Sequence, residues 1–264
     1  MEVLFRILLS KALILIALVG FSATENLSLP KNNISDSSKT QKVLMIGNSF
    51  TFYWNLPQVL ECMFSKRNEN IEVDQKTIGG SNLAKHWRLN NANDYSIDNY
   101  EYLVLNDHST NPLLNIDSCA KYIKLFAELA RKNQTVPFVY GTWEYPYLKE
   151  ISKKRTSNTM DILDSLSRIN NATYIPVGNA FRYVEQNYPE INLYMDDDKH
   201  PSSNATYLAS CVFYSMITGK SPIGLPRRFE GKNIDGKKIY YIITEKNIAP
   251  IIQKVADIVT KDLR

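Results

Sequence analysis

Short apolar runs alternate along this chain with segments of helical spacing, and this alternation limits the fold more than any other feature. Five runs have the length and the content of β-branched or aromatic residues that are typical of buried strands. They lie at residues 43–46, 71–78, 102–105, 136–140 and 173–177, and helical patterns at 56–66, 118–132 and 149–169 separate most of them. Strands that alternate with helices predict a parallel sheet with right-handed crossovers and helices on both faces.

The chain beyond the fifth run continues with helical patterns at 180–186 and 202–218. The second of these ends before Gly219, a typical residue for a helix C-terminus. Farther on, we predict a strand at 238–243 and a helix at 248–263, in a region without any motif that carries chemistry. We therefore interpret residues 42–264 as a single domain and the part from about residue 227 onward as its C-terminal extension.

The first 23 residues have the pattern of a signal peptide. Arg6 and Lys11 precede the apolar run 12–21, and the small residues Ser22 and Ala23 follow it. This run is shorter than the roughly 20 residues that a membrane-spanning helix needs. We expect an exported protein, periplasmic or secreted, without a stable membrane span after cleavage, and a retained N-terminal anchor is the alternative. Residues 24–41 are rich in Asn, Ser, Lys and Thr and are expected to be a flexible lead-in.

Length, charge and cysteine content narrow the class of protein further. A domain of this size needs neither disulfides nor metals to stabilise it. Cys62, Cys119 and Cys211 are odd in number and show no CxxC spacing, so we expect buried free thiols. The net charge is +4 and the basic residues are spread along the chain, which excludes a nucleic-acid footprint. No cluster of His and Cys has the spacing of a metal site, and we predict no metal.

A serine directly after the first predicted strand, in Gly47-Asn48-Ser49, is the first candidate for chemistry. Ligand sites in open parallel sheets lie outside the carboxyl ends of the strands. Ser49 would stand at such an end, before a helix whose N-terminal amides can stabilise developing negative charge. Gly-x-Ser is also a frequent turn sequence, so this motif alone is not specific.

Asp197 and His200 form the second candidate, again directly before a predicted helix. A nucleophilic serine needs a base that accepts its proton and a carboxylate that orients this base. An Asp three residues before a His, on a turn that ends at Pro201, can supply both groups from one loop. The alternative interpretation of residues 196–198 is a solvated acidic loop or a cation site.

Gly47-Asn48-Ser49 and Asp197-x-x-His200-Pro201 resemble the first and last sequence blocks of the SGNH, or GDSL-like, hydrolases. The resemblance implies a flavodoxin-like three-layer α/β/α sandwich with a five-stranded parallel sheet. It also implies a catalytic triad of Ser49, His200 and Asp197, and no cofactor. Asn48 occupies a position where the family often has Asp, and we expect no effect because this position is outside the triad.

The resemblance further implies two intermediate blocks that contribute to an oxyanion hole. Gly79-Gly80 ends the second predicted strand, and Gly80, or Gly79 in another register, is expected to donate a backbone N–H. The third block, G-x-N-D in the family, corresponds to Leu105-Asn106-Asp107-His108. His108 occupies the place of the family's asparagine if the strand ends are aligned, whereas a shift by two residues puts Asn106 there. A turn that packs His108 beneath it is an equally weighted alternative.

The function that follows from the resemblance is hydrolysis of an ester through an acyl-enzyme. A small-molecule or carbohydrate ester, such as an acetylated glycan, would suit an exported enzyme, although the sequence selects neither a substrate nor an oligomeric state. Trp143 and His86 follow predicted strands and could line a substrate pocket, although packing in the core explains them equally well. A catalytically silent carbohydrate- or ligand-binding protein of the same fold, or a cation-binding protein, is the alternative function.

Overall fold

The computed structural model describes residues 39–91 and 97–264. The signal peptide predicted for residues 1–23 lies outside the described residues, as does most of the lead-in predicted for 24–41, and both stay predictions. The first strand begins at Gln41, one residue before the predicted start of the domain.

A five-stranded parallel sheet occupies the centre of the described chain. Its strands are β1 (Gln41–Gly47), β2 (Ile71–Thr77), β3 (Tyr102–Leu105), β4 (Val136–Tyr140) and β5 (Thr173–Ile175), in the spatial order β2-β1-β3-β4-β5. Ile46 pairs with Lys76 of β2 on one side and with Leu105 of β3 on the other. The carboxyl ends of these three strands therefore meet at one edge of the sheet, which brings the three segments that follow them close together.

Ten helices cover the two faces of the sheet within the described residues. They are α1 (Ser49–Phe52), α2 (Leu56–Lys66), α3 (Leu83–Asn91), α4 (Asn111–Leu114), α5 (Ile116–Lys132), α6 (Pro146–Ser152), α7 (Thr159–Ile169), α8 (Val177–Asn187), α9 (Ser203–Thr218) and α10 (Ala249–Thr260). Val43 and Met45 of β1 pack against α2, α8, α9 and α10, whereas Leu44 and Ile46 pack against α3, α5 and α7. The predicted three-layer α/β/α sandwich is confirmed.

The single long helix predicted at 149–169 is wrong, because two helices, α6 and α7, occupy this stretch. The side chain of Asn158 accepts a hydrogen bond from the backbone N–H of Asp161, and the Asp161 carboxylate accepts one from the backbone N–H of Asn158. This capping box requires an extended backbone at Asn158, which starts a new helix there. Helical periodicity alone does not reveal such a break, since both helices use the same apolar spacing.

The C-terminal segment forms a hairpin and a helix on the same domain. The strand predicted at 238–243 is observed as β7 (Lys238–Ile243), and it pairs antiparallel with β6 (Arg228–Lys232), which the apolar pattern does not predict. Only Phe229 of β6 is buried, so the strand shows no alternation. α10 packs on α9 and places Ile252 and Val255 in the core cluster that contains Val43. No helix in the described part of the chain has the length and apolar character to span a membrane.

The cysteines match the prediction of free thiols. None of the three forms a disulfide within the described residues. Cys119 and Cys211 are buried, as expected, whereas Cys62 is only half-buried at the surface of α2. The domain is thus stabilised by its two apolar core clusters rather than by covalent cross-links.

Candidate active site

Ser49 lies at the edge of the sheet, as the first residue of α1 immediately after β1. Asn48 has an extended backbone, and its side-chain oxygen accepts a hydrogen bond from the N–H of Phe50, which starts the helix. Asn48 and Phe50 are buried while Ser49 between them is half-buried. The turn thus presents the serine hydroxyl to the surface while both neighbouring residues anchor it.

The loop with Asp197 and His200 is a tight, internally bonded turn. The Oδ1 atom of Asp197 accepts hydrogen bonds from the backbone N–H groups of Lys199, at 3.1 Å, and of His200, at 2.9 Å. The backbone N–H of Met195 donates to the carbonyl of His200 at 2.9 Å, which closes the loop. Asp side chains favour such turns because they bond to the backbone a few residues ahead.

Three side chains that are distant in sequence form one chain of hydrogen bonds. His200 Nε2 lies 2.9 Å from Ser49 Oγ, and His200 Nδ1 lies 2.5 Å from Asp197 Oδ2. An ionised carboxylate only accepts hydrogen bonds, so the proton of a neutral imidazole is on Nδ1 and Nε2 is left to accept from the serine. This tautomer is the one that a general base for Ser49 requires.

The carboxyl group of Asp197 remains ionised over a wide pH range. Burial alone would raise its pKa, but hydrogen bonds from the His200 side chain and from the N–H groups of His200 and Lys199 lower the pKa to about 2. A carboxylate that stays charged holds the imidazole in one orientation and stabilises it when it is protonated.

Two aromatic rings fix the plane of the His200 ring. Tyr53 stacks on it with the ring centroids 4.3 Å apart and the planes 12° apart, and Phe50 meets it edge-on at 5.7 Å. Trp54 and Asn55, which follow Tyr53 in the chain, have φ values of 50° and 55°. Two consecutive non-glycine residues in the left-handed region are strained, which is common near functional sites. Tyr53 was not among the residues predicted for the site, although it lies one helical turn after Ser49.

Two backbone N–H groups at the site are available to a ligand. Neither Ser49 nor Gly80 donates its N–H to another described residue. Gly80 has a φ of 65°, which only glycine adopts without strain, and an added Cβ atom would meet nothing within 4 Å. Its loop is held beside β1 by Ser81, whose hydroxyl donates to the carbonyl of Gly47 at 3.3 Å. The structure therefore brings the predicted Gly80 loop to the serine turn.

Asn48 connects all three loops at this edge of the sheet. Its Nδ2 group donates to the carbonyl of Ser81 at 3.2 Å and to the carbonyl of Asp107 at 3.0 Å. Asn in place of the Asp that the family often has is therefore accommodated here, and it makes two bonds that a carboxylate cannot donate. The amide is required by the two carbonyl groups that point at it.

Asn106 and His108, the alternative oxyanion donors, have different surroundings. Asn106 is 1% exposed, and its Oδ1 atom accepts a hydrogen bond from the Thr51 hydroxyl at 3.0 Å. Its Nδ2 group donates to the carbonyl of Asp107 at 3.2 Å. The oxygen of this amide therefore holds the Ser49 turn to the end of β3, whereas its Nδ2 group bonds within its own segment.

His108 is half-buried and keeps one ring nitrogen available. Its Nδ1 atom accepts from the backbone N–H of Thr110 at 3.4 Å and lies 2.9 Å from the Thr110 hydroxyl. Burial lowers the pKa of His108, and the charge of Lys199 lowers it further, which favours the neutral ring. With Nδ1 as acceptor the proton is on Nε2, and this atom has no hydrogen-bond partner among the described residues.

The prediction that His86 lines a substrate pocket is wrong, because its side chain is 0% exposed. Its Nε2 atom lies 2.8 Å from the carbonyl of Gly47 and 2.7 Å from the hydroxyl of Ser81. Burial lowers the pKa of this histidine, so it is held neutral. His86 therefore joins the turn before Ser49 to the Gly80 loop from within the core.

Trp143 also packs in the core, the alternative that the sequence left open, since it is 1% exposed. Its ring lies between those of Phe50, at 4.2 Å, and Phe181, at 4.1 Å, nearly parallel to both. Its Nε1 group donates to the carbonyl of Lys199 at 3.1 Å. Trp143 thus supports the loop of Asp197 and His200 from the side of the core.

The acidic residues of the loop do not assemble a metal site. Within residues 39–91 and 97–264, no three His, Cys, Asp or Glu side chains are placed to hold a metal ion together. Asp196 and Asp198 are exposed, while the Asp197 carboxylate is directed at His200. The geometry at this edge of the sheet is that of a serine, a base and a carboxylate.

Comparison with solved structures relates this geometry to a known fold. A DUF4886 family protein from Bacteroides uniformis has a TM-score of 0.64 at 18% identity, with 85% of this chain and 96% of that chain covered. A protein from Slackia heliotrinireducens assigned to the SGNH hydrolases has a TM-score of 0.55 at 22% identity, over 67% and 98% of the two chains. The acetyl xylan esterase AlAXEase has a TM-score of 0.54 at 15% identity, over 67% and 99%.

No family model matches the sequence, and no curated protein does. At identities of 15 to 22%, the likeness is one of fold. The chain therefore has the fold of the SGNH hydrolases, as the resemblance of its sequence blocks implied.

Proposed function

We propose that this chain, which has the SGNH hydrolase fold, is a serine esterase with Ser49 as nucleophile, His200 as general base and Asp197 as the orienting carboxylate. The observation that supports the proposal most directly is the continuous hydrogen-bonded chain from the serine hydroxyl through the imidazole to the carboxylate. Groups 151 residues apart in sequence are held at hydrogen-bond distance, as nucleophilic catalysis by a serine requires.

The reaction begins when Ser49 Oγ attacks the ester carbonyl carbon while its proton passes to His200 Nε2. The tetrahedral intermediate then collapses, the bond to the alcohol oxygen breaks, and the alcohol leaves with the proton from His200. Water next attacks the acyl carbon and gives one proton to His200 Nε2. The bond from this carbon to Ser49 Oγ then breaks, the acid departs, and His200 passes the proton taken from water to Ser49 Oγ. Asp197 stays ionised throughout and stabilises the imidazolium.

The oxyanion hole in this proposal consists of the N–H groups of Ser49 and Gly80 together with Nε2–H of His108. All three donors lack a protein acceptor among the described residues, which is the condition for binding a ligand oxygen. Asn106 is assigned a structural role instead, because it is 1% exposed and its amide already binds the Thr51 hydroxyl and the carbonyl of Asp107. Loss of one oxyanion donor typically lowers kcat by about 10²–10³-fold.

The substrate class proposed is a small acyl ester, with acetyl esters of carbohydrates as the first compounds to test. The acetyl xylan esterase named above supports this choice only through its fold. We also propose that the protein acts outside the cytoplasm, which rests on the composition of residues 1–23. Location and substrate can be tested independently of the triad.

Labelling with a fluorophosphonate tests the proposal, because only an activated serine reacts with it. Wild type is expected to be labelled, whereas S49A and H200A are not. S65A, which removes an exposed serine on α2, is the matched control and should be labelled fully. A folded wild-type protein that is neither labelled nor active on acetyl esters would instead support the catalytically silent binding protein.

A further inference from the structure

The hairpin of β6 and β7 carries exposed apolar side chains in its turn and along β7. Of fourteen large hydrophobic residues that are exposed within the described chain, four belong to this hairpin: Ile234, Ile239, Tyr240 and Ile243. Single exposed hydrophobic residues are common and need no explanation, whereas a group on one element indicates an interaction surface.

The turn of the hairpin holds an isoleucine fully in solvent. Ile234 is 102% exposed, so it contacts no other part of the protein. Asn233 makes the hydrogen bonds of this turn. Its backbone N–H donates to the carbonyl of Lys237, and its carbonyl accepts from the N–H of Gly236. Its side-chain oxygen accepts from the N–H groups of Asp235 and Lys237. Gly236 supplies the positive φ of 75°. Ile234 therefore contributes nothing to the turn, where a polar residue would be favoured.

Basic residues outnumber acidic ones on this hairpin, with Arg228, Lys232, Lys237 and Lys238 against Glu230 and Asp235. The guanidinium of Arg228 lies 4.5 Å from the centre of the Tyr240 ring, and the Lys238 ammonium lies 5.9 Å from it. Lys232 and Lys237 are exposed, and neither has a carboxylate within ion-pair distance among the described residues. An exposed isoleucine in the turn, lysines on both sides of it and a tyrosine between cations on β7 match the composition of segments that enter the boundary between lipid head groups and acyl chains.

We propose that this hairpin docks on an anionic lipid bilayer, with Ile234 inserted among the lipids and Lys232 and Lys237 against the head groups. A bilayer fits better than a second copy of the chain or another folded protein. A protruding tip can enter lipid, whereas it offers no flat area for a protein interface. The docking does not depend on the proposed esterase activity.

The position of the hairpin gives this docking a consequence for the candidate site. β7 contacts the 3₁₀ turn Tyr53–Asn55, which carries the ring that stacks on His200. Trp54 in the same turn is 42% exposed and adds an aromatic residue of the kind found at bilayer surfaces. A bilayer bound to the hairpin would therefore lie near the candidate active site, a step that does rest on the proposed function.

A fluorophore at the tip tests the docking in the full chain. Where residues 1–23 are still present, their apolar run 12–21 can itself bind lipid, so sedimentation with vesicles is not diagnostic and the readout must be local. An environment-sensitive dye on I234C should shift to shorter wavelength with phosphatidylglycerol vesicles and shift little with phosphatidylcholine vesicles. The same dye on I169C, an exposed isoleucine at the end of α7, is the matched control and should not shift. Labelled wild type corrects for dye on Cys62.

Charge variants and activity complete the test. K232Q combined with K237Q in the I234C protein should raise the vesicle concentration needed for the shift by about tenfold, and added salt should raise it as well. A dye at residue 234 that stays in water while the protein is vesicle-bound overturns the proposal. A shift caused by dimerisation without vesicles would overturn it as well, in favour of a second copy. The I234D variant should hydrolyse a soluble ester at the wild-type rate. A failure of the docking proposal can therefore be told apart from a failure of the esterase proposal.

Discussion

Asp197 is the residue whose charge the candidate triad depends on. Its folded pKa of about 2 is below the value of about 3.9 for an unfolded Asp. The carboxylate therefore stabilises the folded protein above about pH 4, and this contribution is lost as the pH falls through the folded pKa. D197N should lower kcat by about 10⁴-fold, since an amide can hold the wrong imidazole tautomer.

The measurements for D197N are kcat on an acetyl ester at pH 7 and urea unfolding at pH 7 and near pH 2. The variant should be less stable than wild type at pH 7, and the difference should shrink near pH 2. D198N is the matched control because Asp198 has a φ of 53°, which Asn tolerates, and its side chain is exposed. Equal activity of D197N and wild type would contradict the triad.

Asn48 is the residue at which the chain departs from the family pattern with a visible physical reason. N48D would direct a carboxylate at the carbonyl groups of Ser81 and Asp107, which now accept from the amide. A buried acceptor left without its donor costs about 1–3 kcal/mol. We expect N48D to lower the free energy of unfolding by at least that amount, and to reduce kcat because the three loops lose their common anchor.

A suitable control for N48D is N82D, measured by urea unfolding and kcat. Asn82 uses only its oxygen, which accepts from the backbone N–H of Lys85 at 2.9 Å. Asp performs this role equally well, so N82D should leave both quantities near their wild-type values. If N48D behaved like N82D, the two bonds from Asn48 would be unimportant.

At the scale of elements, a stack of three aromatic rings connects α1, the segment after β4, and α8. Trp143 lies in its middle and bonds to the carbonyl of Lys199, next to His200. W143F keeps a ring in the stack but removes the donor, so the loop should shift without unfolding. A misplacement of about 1 Å can lower a rate by about 100-fold. We expect kcat to fall by about 10- to 100-fold in W143F.

W87F is the control for this substitution, because Trp87 packs against Phe126 in the other core cluster. Both variants should have similar midpoints of thermal unfolding, and only W143F should lose activity. W143A should be destabilised by about 3–5 kcal/mol because it leaves a cavity in the core. If both Phe variants kept full activity, Trp143 would have no positioning role.

Periodicity predicts well the boundaries of elements that are buried along most of their length. The third and fourth strands and the helix at 56–66 have the observed boundaries, since each begins and ends with its apolar pattern. β6 was missed because it buries only Phe229, and the helix at 149–169 was predicted as one because the capping box of Asn158 is a hydrogen-bond pattern rather than an apolar one.

The candidate site was predictable as far as its residues follow strands. Ser49, Gly80 and His108 come after three neighbouring strands, so topology alone brings them together. The choice between Asn106 and His108 required the partners of each side chain, which the sequence does not contain. The same holds for His86 and Trp143, because an aromatic or imidazole ring after a strand can point outward or into the core.

At the scale of the whole molecule, the segment after residue 226 extends the domain and also contributes side chains to its central core. Ile252 of α10 is 0% exposed and shares a cluster with Val43 of β1, whereas Ile258 on the same helix is 42% exposed. I252A should therefore lower the free energy of unfolding by about 2–5 kcal/mol, and I258A should change it by no more than about 0.5 kcal/mol.

Unfolding of these two variants in urea also tests whether the domain is one cooperative unit. Because α10 packs on α9, whose N-terminus follows the loop of His200, loosening α10 should affect the site and the sheet together. Tryptophan fluorescence, to which buried Trp143 contributes, and circular dichroism should then give the same midpoint in I252A, below that of wild type. An early transition in circular dichroism alone, with the fluorescence midpoint unchanged, would mean that α10 unfolds independently and that the site does not need it.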